Sequence, residues 1–109
     1  MDKPVYEIIR RELKPTRASF QEKDIWCHTR KTTTKLTLYK NNYPDNDDEN
    51  YRVTILIISI DDFYMGQDYL FKTLEEAEAK YDEVKKNVYD KIPYGFTMKW
   101  LRDHDMEEY

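Results

Sequence analysis

The sequence predicts an α+β fold. The expected form is an antiparallel sheet of four to five strands, with one long amphipathic helix at about 73–88 packed on one face and a short N-terminal helix. Three observations carry this. Apolar residues recur at helical spacing after Thr73. A β-branched run from Tyr51 to Ile60 is apolar on both faces. Polar turn formers separate shorter alternating segments on either side of that run.

At the N-terminus, Val5, Ile8, Ile9 and Leu13 fit a helical face that Pro15 would stop. Val5, Ile9 and Leu13 would also share one face of a strand, and a short helix over 3–13 is the favoured reading. Ile25 to Arg30 reads as a strand. Lys35 to Lys40 reads as another, with Leu36 and Leu38 alternating against Thr37 and Tyr39. Residues 41–50 are polar, acidic turn formers, so an exposed hairpin loop is expected. In the strand Tyr51–Ile60, Val53, Ile55 and Ile57 share one face, and Leu56, Ile58 and Ile60 the other, which suits a central strand. A turn around Gly66, over 61–67, leads to a second strand over 68–72.

The helix is the clearest element. Leu74, Ala77, Tyr81, Val84 and Val88 form one stripe, and Thr73-Leu74-Glu75-Glu76 has the capping-box pattern. Glu75 and Glu76 sit at the positive end of the macrodipole, Lys85 and Lys86 at the negative end. Glu76–Lys80 and Asp82–Lys86 are favourable pairs four residues apart. Beyond the turn Pro93-Tyr94-Gly95, the alternation of Phe96, Met98 and Trp100 predicts a last strand. The charged segment 102–109 is expected to fray.

The 109 residues suit a single domain over 1–109. Ten Tyr, four Phe and two Trp must supply much of its core. One cysteine, Cys27, excludes an internal disulfide and fits a reducing compartment. The longest apolar run, Ile55 to Ile58, is far short of the ~20 residues that span a bilayer. No apolar stretch follows Met1-Asp2-Lys3-Pro4, so the expectation is a cytoplasmic protein without a signal peptide or membrane contact. Net charge is −4, unevenly placed: residues 1–40 carry ten basic and five acidic side chains, and the rest carry eight and seventeen.

Motifs for chemistry are missing. Two isolated glycines build no phosphate loop. One Cys with His28 and His104 is too few for zinc. Asp45, Asp47 and Glu49 open like a calcium loop, but Asn50 stands where the glycine belongs and Leu56 where the final glutamate belongs. Cys27 and His28 are strand neighbours whose side chains would point apart. The reading is a non-enzyme with no cofactor and no metal.

Two binding surfaces remain. One is acidic and tyrosine-rich: Asp45, Asp47, Asp48 and Glu49 with Asp61, Asp62, Tyr43 and Tyr64. Such carboxylates would meet a basic groove on a protein partner, and tyrosine supplies rigid contact area. The other is basic: Arg10, Arg11, Lys14, Arg17, Arg30, Lys31 and Lys35, interleaved with Tyr6, Phe20, Trp26 and Tyr39, a composition suited to nucleic acid. The length, the acidic Asp45–Glu49 loop, the tyrosines, the lack of catalytic groups and an AT-biased composition resemble small phage and mobile-element anti-defence proteins, anti-CRISPR proteins among them. That resemblance implies a protein-binding inhibitor or adaptor in the host cytoplasm, acting on a nucleic-acid enzyme such as a CRISPR effector. The alternatives are a nucleic-acid-binding regulator using the basic N-terminal third and a self-associating domain such as a homodimer.

Overall fold

The computed structural model describes residues 3–22, 26–59, 64–104 and 107–108. The chain runs β1 (Tyr6–Glu22), β2 (Trp26–Asn41), a 3-10 turn (Asp47–Glu49), β3 (Tyr51–Ser59), β4 (Tyr64–Phe71), α1 (Leu74–Asn87), a second 3-10 turn (Tyr89–Lys91), β5 (Gly95–Thr97), α2 (Met98–Asp103) and β6 (Glu107–Glu108). The sheet order is β5-β1-β2-β3-β4-β6. The four long strands pair antiparallel, as expected; the additional β5 joins β1 in parallel and β6 joins β4 antiparallel. β2 pairs with β3 only from Thr32 to Lys40, so the far end of the β1–β2 hairpin runs on past β3. This ribbon contributes to overall dimensions of 52 × 30 × 21 Å.

One sheet face carries the core. Leu36 lies opposite Ile55 and Leu38 opposite Val53, with Ile57 beside them. Ala77, Tyr81 and Val84 of α1 pack over these residues, and Ala18, Tyr89, Ile92, Phe96 and Leu101 complete the cluster. Both helices therefore sit on the same side. Thr16 reaches the hydroxyls of Thr32 at 2.7 Å and Thr34 at 2.9 Å, so these buried polar groups satisfy each other.

The helix forms as its sequence predicts. The Thr73 hydroxyl accepts from the Glu76 amide at 3.2 Å and donates to the Glu76 carboxylate at 2.8 Å. Thr73→Ala should therefore lower stability by about 1 kcal/mol. Urea unfolding checks this, and an unmoved midpoint would mean that the cap contributes nothing. The expected pairs of Asp82 and Glu76 with lysines four residues on are replaced: Asp82 bonds Arg10 of β1 at 3.0 Å, and Lys80 pairs with Glu83 at 3.5 Å.

Several expectations are corrected. The N-terminal segment is strand, not helix: from Tyr6 onward it pairs with β2, whose ladder takes up its backbone groups. Its apolar residues mislead because they are not core; Val5, Ile8, Ile9 and Leu13 are all exposed. Pro15 does not end it. The Arg17 amide donates away from β2 to the Tyr94 carbonyl, so the nitrogen two residues earlier also faces the sheet edge, where proline's missing donor costs nothing. The two upstream strands are one, because Thr32, Thr33 and Thr34 join them as β-branched residues; Ile25 lies outside the described residues.

Gly66 sits inside β4 opposite Leu56, not in a turn. The predicted last strand stops at Thr97, whose hydroxyl accepts from the Trp100 amide at 3.1 Å and starts α2. Lys99 and Asp103 then pair at 2.7 Å, a helical spacing that the Phe96-Met98-Trp100 alternation hides. The bond to Lys99 holds the Asp103 carboxyl below its ordinary range. Arg102 and Asp103 are helical and residues 107–108 pair with β4, so the tail does not simply fray; 105, 106 and 109 lie outside the described residues.

Candidate functional site

Strand alternation sends every second residue to the side away from the helices. No described element packs there. The cross-strand rows on this open face follow from the register. Ile8, Tyr39, Arg52 and Leu70 form one row; Arg11, Thr37, Thr54 and Asp68 form the next. Leu13, Lys35 and Leu56 follow, and Arg17 lies opposite Lys31 further along. The face has a closed centre and an open rim. Thr37 and Thr54 are only 2% and 6% exposed, whereas Ile8, Leu13 and Leu70 are roughly half exposed.

Five cations lie on this face: Arg11, Arg17, Lys31, Lys35 and Arg52. Asp68 is the one carboxylate among its described side chains, and it accepts from the Thr54 hydroxyl at 2.7 Å. The ion pairs of the described residues do not include any of the five. The Nε groups of Arg17 and Arg52 are buried without an acceptor. Leaving such a donor unmade costs about 1–3 kcal/mol. Arg17 and Lys31 are also like charges directly opposite each other, an unfavourable cross-strand pair. Tyr6 stands edge-on to Tyr39 at 5.8 Å, with the Arg52 guanidinium 5.5 Å above the Tyr6 ring.

The other predicted basic residues are spent inside the fold. Arg10 bonds Asp82 and lies 4.1 Å above the Tyr81 ring. Lys14 donates to the carbonyls of Tyr89 and Ile92 and lies over the Tyr89 ring, and burial lowers its pKa. Arg30 lies opposite Ala18, in the register of the core face, and has interactions of its own. Glu12 accepts from the Tyr81 hydroxyl at 2.8 Å and faces Lys85 at 3.6 Å; Lys85 also holds Asp90 at 3.1 Å. These bonds tie α1 to β1. Burial and the Glu12 carboxylate hold the Tyr81 hydroxyl above the usual phenol range.

Of the predicted acidic surface, the described carboxylates lie in one loop. Asp45, Asp47, Asp48 and Glu49 lie in the loop between β2 and β3, where the Asn46 side chain accepts from the Asp48 amide at 3.0 Å. Tyr43 is exposed beside them. Asp61 and Asp62 lie outside the described residues. Their flanking strands end at Ser59 and begin at Tyr64, at the opposite end of β3 from Tyr51 and this loop. The Tyr64 backbone pairs with Ile58. No three His, Cys, Asp or Glu side chains among the described residues gather as a metal-ligand set.

Sequence reasoning found Arg11, Arg17, Lys31 and Lys35 but missed Arg52 and the pairing of Tyr6 with Tyr39. The alternation of Arg52 against Val53 and Ile55 carried the signal, hidden by the reading of β3 as buried on both sides. β3 is central in the sheet, yet Leu56 and Ile58 are only half-buried because nothing described covers them. No family model matches the chain, and neither a curated protein nor a solved structure does so. No helix among the described residues is long and apolar enough to cross a membrane. The fold defines a two-layer α+β domain with one sheet face that no described element covers.

Proposed function

We propose that this chain is a non-enzymatic binding domain whose working surface is the open sheet face, and that its partner presents a polyanionic surface. The observation that supports this reading is the set Arg11, Arg17, Lys31, Lys35 and Arg52. None of the five is paired with a carboxylate of the described residues, and Arg17 faces Lys31 as a like charge. An anionic partner would neutralise these charges and relieve the Arg17–Lys31 repulsion.

The test uses immobilised heparin as a generic polyanion. Changing Arg11, Arg17, Lys35 and Arg52 together to glutamine should weaken binding roughly 100-fold at moderate salt. Neutralising Lys86, Lys91, Lys99 and Arg102 instead should change it little. These four are exposed and lie off the face. Equal losses in the two variants would show that net charge, and not the face, governs binding.

A second reading rests on a separate observation. Tyr43 is 53% exposed beside Asp45, Asp47 and Asp48, and among the described residues no cation pairs with these carboxylates. Such a loop fits the basic groove of a protein partner, as an inhibitor or adaptor of a nucleic-acid enzyme would require.

A further inference from the structure

Resting on the open-face reading, we propose that the occupant of that face is single-stranded nucleic acid. Charge selects against a second copy of this chain lying face to face, because each copy would bring five cations against one described carboxylate, Asp68. The cations are also strung out along the strands. From the row of Arg52, level with Tyr39 on β2, to Lys31, eight residues further along β2, is about 27 Å. A linear polyanion matches that track, and roughly four to six nucleotides would cover it.

The remaining groups separate single strands from duplex. Tyr6 is 41% exposed at the end of the face, held by Tyr39 and Arg52. A ring presented in this way offers a stacking platform to an unpaired base. Ile8, Leu13 and Leu70 add exposed apolar surface around the cations, where base and sugar faces can lie. A duplex keeps its bases stacked inside and would gain only from the charges. The guanidinium groups of Arg17 and Arg52, on the open face, would pair with phosphate oxygens.

Fluorescence anisotropy with a labelled 12-nucleotide mixed-sequence single strand, as DNA and as RNA, tests the proposal against the same sequence as duplex. Binding to at least one single strand should be at least tenfold tighter than to duplex. Its logarithm should fall with log salt at a slope of roughly 3.5, for about five phosphate contacts. Tyr6→Leu with Tyr39→Leu should weaken it about tenfold and leave that slope unchanged. Tyr6→Leu alone, at an exposed position, serves if the pair fails to fold.

Polyglutamate separates the two readings. If it binds and loses affinity when Arg11, Arg17, Lys35 and Arg52 become glutamine, while the oligonucleotides do not bind, the face is a binding surface and the nucleic-acid proposal fails. If neither binds, both fail. Single strands bound no better than duplex, or bound equally by the tyrosine variant, would also overturn the proposal.

Discussion

Gly66→Ala is expected to destabilise the protein by about 3 kcal/mol, at the upper end of what overpacking a tight site costs. An alanine Cβ at this position would lie 2.0 Å from the Ile55 carbonyl oxygen and 2.9 Å from Leu56 Cδ2. The oxygen belongs to the backbone of the central strand, so it cannot swing aside as a side-chain tip can. Gly66 is also held on both sides, by Leu56 of β3 and Glu107 of β6. A glycine inside a strand marks such a close approach. Thermal unfolding followed by circular dichroism should show a fall of roughly 10–20 °C for a domain of this size. A change of only a degree or two would mean that β4 shifts freely and that the close approach is not a constraint.

The second large effect is expected at Tyr81, which packs its ring into the core and sends its hydroxyl to Glu12. Tyr81→Ala should cost about 4 kcal/mol, the usual range for deleting a buried aromatic ring. Tyr81→Phe keeps the ring and the Arg10 contact above it, so only about 1–2 kcal/mol should be lost with the hydrogen bond. Denaturant unfolding of the two variants separates packing from bonding, and equal losses would show that the hydroxyl carries the whole effect. The same residue sets a pH dependence. Its folded pKa is raised, so its contribution is complete below the unfolded tyrosine value, near 10, and is lost as pH rises beyond it. Tyr81→Phe should remove part of the alkaline loss of stability, which an unfolding series from pH 8 to 11 would detect.

Legibility followed burial. The helix could be read because Thr73 caps it and because Ala77, Tyr81 and Val84 are both periodic and buried. β3 could be read because its β-branched run fills the core face. β1 could not, because the apolar side chains that suggested a helix point to no core at all; their exposure breaks the link between periodicity and packing on which such reasoning depends. α2 spans only six residues, too few for a helical period to outweigh the alternation of Phe96, Met98 and Trp100.

The candidate binding residues divide in the same way. That the first third of the chain is basic and the acidic charge gathers later is a property of the amino-acid sequence alone, as are the helix, its cap and the central strand. Which cations emerge on the open face was decided only by tertiary structure. Alternation along β1 and the bulge between Ile8 and Arg10 turn Arg10 and Lys14 toward the helix layer, where Asp82 and two carbonyls take them. The intervening Arg11, with Arg17, is turned to the open side. Strand pairing then adds Arg52, 41 positions from Arg11, to the same face. Local sequence sets an element's own period, but the face on which a charge emerges depends on register between strands and on which side the helices cover. Those are long-range choices made when the core closes.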